Sequence, residues 1–267
     1  MDFYINSKLK VSHYDVSSRK LRQDVRLAVL ADLHNCLCED GGRQLFSMID
    51  AEKPDAVIIA GDMIDALETS DPTKTMEVIK LIHDHYPVIY GMGNHEKKVL
   101  DGRFLPRIRR AFIRGLKAAD LKVLSNSYKF LGDTGVKVSC LDLPIDYFGR
   151  IQDPKLTLRQ MNHKLGEPDK DYYNVLIAHD PQYFNTYSLY GADLVLSGHM
   201  HGGVIRIPYL GGLVSPKLKL FPEYDKGLFE KNGTKMIISA GLGMHSIHVR
   251  VNNPPELVVV DLHKEIV

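Results

Sequence analysis

Five short stretches of this sequence carry side chains suited to holding divalent cations: Asp32-Leu33-His34, Gly61-Asp62, Gly93-Asn94-His95-Glu96, His179-Asp180 and Gly198-His199-Met200-His201. Each alone is weak, because an Asp-x-His triplet arises often by chance and a lone histidine is usually a hydrogen-bonded surface or core residue. Together and in this order they point to one site. Carboxylate, amide oxygen and imidazole suit borderline ions such as Mn²⁺, Fe²⁺, Zn²⁺, Co²⁺ or Ni²⁺, and the lack of thiolates among them argues against a structural zinc site or an iron–sulfur cluster. The seven donors Asp32, His34, Asp62, Asn94, His179, His199 and His201 are the natural complement of two ions. Asp62 is the sensible bridge, since one carboxylate spans two ions roughly 3.5–4 Å apart. A hydroxide sharing that bridge would be a nucleophile at neutral pH, and the paired cations would offset charge building on a phosphoryl group during in-line attack. The expected cofactor is two divalent metal ions, and the expected substrate a small phosphorylated molecule.

The elements that must hold these loops are legible around them. Val25 to Asp32 is short, apolar, rich in β-formers and ends in an acid, the pattern of a buried strand. Ala56 to Ala60 runs likewise into Gly61-Asp62, and Val88 to Tyr90 opens through Gly91 into Gly93-Asn94. Helical stretches around Gln44 to Ala51 and Thr73 to His83 separate them, so these strands are expected to run parallel. After residue 120 the candidate strands Tyr128 to Leu131, Val136 to Leu141, Tyr173 to Ala178, Leu194 to Leu196, Lys235 to Ser239 and Leu257 to Asp261 follow more closely, and hairpins are expected. Two mixed β-sheets facing each other with helices outside would use both halves and gather strand ends at one rim. Such strand-end loops combine a rigid scaffold with freely turning backbone, which is where sites form.

The ordered set of Asp-x-His, Gly-Asp, Gly-Asn-His-Glu, His and Gly-His-x-His from Asp32 to His201 resembles the signature of the calcineurin-like metallophosphoesterase superfamily. The resemblance implies an α/β fold, the four-layer αββα sandwich. Position by position it implies that Asp32, His34, Asp62 and His201 hold one ion, while Asp62, Asn94, His179 and His199 hold the other. It also implies that His95 protonates the leaving oxygen, with Asp65 as its orienting carboxylate, a role suited to an imidazole that titrates near working pH. In the phosphoprotein phosphatases of this superfamily the Gly-Asp motif continues to Asp-Arg-Gly. Here Asp65 is followed by Ala66, so the substrate-gripping arginine is missing and a protein phosphatase is not expected. Beyond residue 200, His201 to Pro208, Phe221 to Asp225 with Gly227, Gly241-Leu-Gly243, and Arg250 with Asn253-Pro-Pro-Glu256 resemble the bacterial phosphodiesterase branch that includes UDP-diacylglucosamine diphosphatases. The expected activity is therefore that of a phosphodiesterase or diphosphatase. The alternatives are a broad-specificity phosphomonoesterase and a non-enzymatic metal-binding scaffold for a protein partner. Arg206 and Arg250 are candidates for contacts with a second substrate phosphate.

The 267 residues are expected to form one domain spanning 1–267. A formal net charge of +1 names no partner, and without a basic stripe interleaved with aromatics nucleic acid is not expected. Met1 to Lys20 mix apolar and charged residues and supply no secretory core. No apolar run approaches the roughly 18 residues of a membrane span, so no transmembrane segment is expected. Three cysteines, an odd number, fit a reducing compartment, and a cytoplasmic location is expected. Arg103, Arg107, Arg110, Arg114 and Lys117 recur at helical spacing beside an apolar face. That pattern fits either the solvated outer face of a core helix or a dock for anionic lipid headgroups, which would hold the protein peripherally at the inner face of the membrane. Between Val204 and Leu220 an apolar stretch with Lys217 and Lys219 reads as a mobile rim over the metals or a structural crossover. Cys36 and Cys38 read as incidental thiols, and His245 and His248 as pocket residues rather than ligands.

Overall fold

The apolar runs form strands whose alternate side chains face two different cores. The computed structural model describes residues 3–4, 8–37, 40–102, 105–149, 154–203, 206–207, 211–212, 222–243, 249–250 and 252–266. In chain order the main strands are β1 (Lys10–Ser18), β2 (Val25–Leu30), β3 (Ala56–Ile59), β4 (Val88–Gly91), β5 (Val123–Leu124), β6 (Ser127–Phe130), β7 (Val136–Cys140), β8 (Tyr173–Ile177), β9 (Leu194–Ser197), β10 (Gly227–Lys231), β11 (Thr234–Ile238) and β12 (Glu256–Lys264). The helices are α1 (Arg43–Glu52), α2 (Thr73–His85), α3 (Asn94–Asp101), α4 (Pro106–Ala118), α5 (Leu158–Leu165) and α6 (Phe184–Tyr190). Two six-stranded mixed sheets result, in the orders β1-β12-β2-β3-β4-β5 and β10-β11-β9-β8-β7-β6.

Residue alternation explains how the sheets stack. Val25, Leu27 and Val29 of β2, Ala56 and Ile58 of β3, and Val258, Val260 and Leu262 of β12 meet Val136 and Val138 of β7, Val175 and Ile177 of β8, and Leu194 and Leu196 of β9 in one inner core. Successive side chains of a strand point to opposite faces, so the intervening residues cover the outer faces. There Ala28, Leu30, Val57, Ile59 and Tyr90 pack on Leu45 and Ile49 of α1, Ile79 and Ile82 of α2, and Ile108 and Phe112 of α4. On the other side Leu176, Val195 and Met236 pack on Met161 of α5 and on Phe184 and Tyr187 of α6. The layering is α, β, β, α, as expected. Burial of each such large apolar side chain contributes about 1.5–3 kcal/mol.

The expectation of hairpins after residue 120 needs correcting. β7, β8, β9 and β11 pair in parallel, and the antiparallel pairs of that sheet are the flanking β6–β7 and β10–β11. Parallel neighbours need a crossover, and the short helices α5 and α6 provide two of them. Both are hard to read in the sequence, because α5 has eight residues with a single buried one and α6 is built of aromatic and polar residues. The C-terminal strand β12 returns to the first sheet, antiparallel to β2 and parallel to β1. The basic helix is α4, and Ile108 and Phe112 on its apolar face are buried in the outer core, so that face is not available to a bilayer. Arg107, Arg110, Arg114 and Lys117 are exposed, while Arg103 lies outside the described residues. Among the described residues no helix is long and apolar enough to cross a membrane.

Candidate metal centre

Five parallel strands, β2, β3, β4, β8 and β9, end their apolar runs just before the loops that carry the expected donors. The carboxyl ends of parallel strands are where α/β sheets bind ligands. Here both sheets deliver such ends to one place, and the loops interlock through their backbones. Asp32 N–H donates to Gly61 O at 3.1 Å, His34 N–H to Asp62 O at 3.1 Å, and Gly198 N–H to His179 O at 3.1 Å. To project side chains from such abrupt turns, Asp32, His34, Asp62, His199 and His201 all adopt left-handed backbone, with φ between 50° and 68°. Asp, Asn and His tolerate that region best among non-glycine residues, at about 1–3 kcal/mol each. The turns are packed tightly: a Cβ on Gly198 would overlap the Asp32 carboxylate, and one on Gly61 would stand 2.7 Å from His179 Nδ1.

Three groups of possible donors converge among the described residues: the two expected sets, and a third made of His34, Asp65 and His95. Asp32, His34 and His201 each offer an atom within 4.8 Å of the others, and so do Asp62, His179 and His199. Donors on one divalent ion, with bonds near 2.0–2.2 Å, stand roughly 3–4.5 Å apart. In the first set His34 Nε2 and His201 Nε2 approach to 3.2 Å. In the second, His179 Nδ1 lies 2.7 Å from Ala60 O and its Nε2 3.0 Å from Asp62 Oδ2. With the Nδ1 proton donated to that carbonyl, the Nε2 lone pair aims at the site, the usual arrangement of a ligating histidine. Asn94 is buried, and its Oδ1 finds no hydrogen-bond partner among the described residues. An amide oxygen buried without a partner costs about 1–3 kcal/mol, and a cation would satisfy it. The donor set therefore fits divalent metal ions.

Electrostatics point the same way. Burial acts most strongly on Asp62 and would raise its pKa, yet His179, His95 and His34 hold it well below the usual carboxylate range. Burial likewise opposes charge on Asp32, and His201, His34 and His179 overcome it. Burial would lower the pKa of His179, but Asp62 and Asp32 raise it to about 10. A proton is thus drawn to a buried, anionic spot where a divalent ion would serve better.

His95 and Asp65, the expected acid and its orienting carboxylate, also come together. Asp65 Oδ1 lies 2.9 Å from His95 Nδ1, and Ala66 N–H reaches the same nitrogen at 3.0 Å. Desolvation lowers the His95 pKa, but Asp62 and Asp65 outweigh it and the net shift is upward. The Nδ1 edge of His95 thus faces Asp65 and the Ala66 N–H, and its Nε2 edge turns to Asp62 Oδ2, 4.0 Å away. His34 sits edge-on to His95 with ring centroids 4.6 Å apart, joining the dyad to the first donor set.

The part played by Glu96 is not visible in the sequence, where it is only the last letter of a motif. It is wholly buried and accepts hydrogen bonds from Asp62 N–H at 2.8 Å, Met63 N–H at 2.8 Å, Gly93 N–H at 3.2 Å and Tyr90 O–H at 2.8 Å. It therefore fixes the loop that presents Asp62, whose own Oδ1 accepts from His95 N–H at 2.8 Å. Asn253 holds the other rim, donating from Nδ2 to His201 O at 2.6 Å and Gly203 O at 2.8 Å. Phe148 packs edge-on against His199, ring centroids 5.6 Å apart.

Arg250 is put to a different use from the one expected. It is 3 % exposed, and its guanidinium donates to the carbonyls of Gly241, Gly243 and Asn253, bracing the loop beneath Asp32 rather than facing a substrate. Arg206 lies in a two-residue strand, Arg206–Ile207, paired with Gly211–Gly212, and its side chain is outside the described residues. Cys38, Lys217, Lys219, His245 and His248 are also outside them, as is most of the stretch between Val204 and Leu220.

The chain is 28 % identical over 267 residues to an uncharacterized metallophosphoesterase of Campylobacter jejuni, covering 97 % of this chain and 65 % of that one. This chain thus spans about two thirds of that relative's length. It is 25 % identical over 216 residues to the uncharacterized metallophosphoesterase YkuE of Bacillus subtilis, covering 80 % of this chain and 70 % of the other. Among solved structures, the NAD nucleotidase of Haemophilus influenzae superposes with a TM-score of 0.51 at 13 % identity, over 82 % of this chain and 45 % of that one, a likeness of fold. Residues 25–203, which hold every donor named above, match the calcineurin-like phosphoesterase family, and the chain belongs to that family.

Proposed function

We propose that this chain is a metal-dependent phosphoric ester hydrolase acting on phosphodiesters or diphosphates. The observation that carries this reading is the convergence of two donor sets, each within 4.8 Å, at the meeting of both sheets. Asp32, His34, Asp62 and His201 would hold one divalent ion, and Asp62, Asn94, His179 and His199 the other. When bound, the two ions supply a nucleophile from water at neutral pH and neutralise charge on the phosphoryl oxygens. Every other step belongs to the chain. His95 donates a proton to the departing oxygen, Asp65 beside its Nδ1 orients the ring, and the Glu96 carboxylate fixes the backbone that presents Asp62. The wholly buried inner core behind the loops keeps these groups stationary, so little reorganisation accompanies reaction.

Comparing kcat/KM for an aryl phosphodiester and an aryl phosphomonoester of the same phenol, with Mn²⁺ present, tests the reading. A preference for the diester is expected. Faster monoester hydrolysis would instead make the chain a phosphomonoesterase, and no turnover of either, with ions bound, would favour the scaffold alternative.

A further inference from the structure

Asp32, His34 and His201, the donors of the first set, all stand on left-handed backbone, which persists only where the surroundings over-determine it. The loop of Asp62, which serves the second set, is fixed by Glu96. Asp32 and His201 are held in addition from residues 239–256, which lie beyond the stretch 25–203 that matches the family.

The loop that follows β11 packs backbone to backbone on Asp32. Leu242 N–H donates to Ala31 O at 3.0 Å, and Gly243 N–H to Asp32 O at 2.7 Å. A Cβ on Gly241 would stand 2.7 Å from Asp32 Cβ, and one on Gly243 would overlap the Leu33 carbonyl. Two buried charged groups clamp that loop in turn. One oxygen of the Glu256 carboxylate accepts Ala240 N–H at 2.9 Å, while the other takes Ser12 O–H at 2.6 Å and the Lys226 ammonium at 2.9 Å. The Arg250 guanidinium holds the carbonyls of Gly241 and Gly243. Between them in the chain, Asn253 commits both N–H groups of its amide to the His201 loop, at 2.6 Å to His201 O and 2.8 Å to Gly203 O. Arg250 Nη1 also donates to the Asn253 carbonyl at 3.4 Å, which joins the clamp on Asp32 to the grip on His201.

A buried carboxylate and guanidinium cost more to desolvate than apolar residues of the same volume, so stability alone is a poor reason for them. Their hydrogen bonds, and those of Asn253, end on the backbone around two first-set donors. We propose that Asn253, with Arg250 and Glu256 behind it, is a positioning residue for the ion of the first set. It fixes His201 against Asp32, whereas the ion of the second set is indifferent to it, since among the described residues Asn253 makes no hydrogen bond to a second-set loop. The inference rests on the two-ion reading above.

The test is calorimetric titration with Mn²⁺ and needs no turnover. Asn253→Ala is combined with His199→Ala, which removes a second-set donor, and separately with His34→Ala, which removes a first-set donor. In the His199→Ala background Asn253→Ala should weaken Mn²⁺ binding by about tenfold or more, the scale typical of groups that orient metal ligands. In the His34→Ala background it should change the affinity of the remaining ion by less than about twofold, as for independent sites. Similar weakening in both backgrounds, weakening confined to His34→Ala, or none in either would overturn the assignment. A general loosening of the fold would lower both affinities together and so counts against it. Should Asn253→Ala lose its circular dichroism spectrum, Arg250→Lys, which keeps the buried charge, carries the same expectation in the same two backgrounds. Native protein that binds no Mn²⁺ would bring down the two-ion reading and the inference with it, whereas two bound ions without a difference between backgrounds would bring down the inference alone.

Discussion

At the scale of single residues, groups that touch the reaction differ from groups that hold them. His95 is proposed for the first kind, and general acids of this type contribute about 10²–10⁴-fold. His95→Asn should therefore lower kcat on a diester with a poorly acidic alcohol by about 100-fold or more while leaving bound metal unchanged, as turnover and elemental analysis on one preparation would show. Equal loss of metal would mean that the residue is a ligand. Glu96 belongs to the second kind. In Glu96→Gln one carboxylate oxygen becomes an amide N–H₂ group that would confront either the N–H groups of Asp62 and Gly93 or that of Met63, so the unfolding free energy should drop by about 1–3 kcal/mol, measured by urea denaturation. The difference in kind explains what was legible. Ligand types are written in the sequence as Asp, Asn and His at strand ends, whereas Glu96 and Asn253 act through hydrogen bonds to distant backbone that no spacing reveals. Arg250 misled for a related reason, since an arginine near a site reads as an anion contact until its burial among carbonyls is seen.

At the scale of elements, the strand-to-loop junctions carry the function. The strands β2, β3 and β4 were legible because each is a short, largely apolar run ending in a turn, and the sandwich followed from having two sets of them. The crossovers α5 and α6 were not, because helices this short lean on tertiary packing rather than on a periodic apolar stripe. The expectation of hairpins in the second half holds only for the flanking pairs β6–β7 and β10–β11. Close approach within the junctions gives a prediction at this scale. Gly198→Ala puts a methyl group into the Asp32 carboxylate, which also accepts His199 N–H at 3.1 and 2.9 Å. The variant should keep its circular dichroism spectrum and lose affinity for divalent ions by about tenfold or more, a scale typical of disturbing the groups that orient metal ligands.

At the scale of the whole molecule, the buried charge of the site links folding, pH and metal. His179 is raised from 6.5 to about 10, chiefly because Asp62 outweighs the opposing effect of burial. A group raised on folding stabilises fully below its unfolded pKa and loses that contribution as pH climbs through its folded value. Metal-free protein should therefore become less stable between about pH 6.5 and pH 10, seen as a falling urea midpoint, whereas metal-loaded protein, in which His179 Nε2 carries no proton, should lack that decline. For Asp62, held low, the contribution is present above the ordinary carboxylate pKa and lost as acid brings the pH down through its folded value. Loading at pH 7 should also release protons, because an ion displaces the one His179 holds. The central claim is a pair of ions acting together on a phosphate ester. It is tested most directly by titrating Mn²⁺ into stripped protein while following hydrolysis of an aryl phosphodiester. The rate should climb until two equivalents are bound and then stay level; a rate indifferent to added metal, or one complete at a single equivalent, would contradict it.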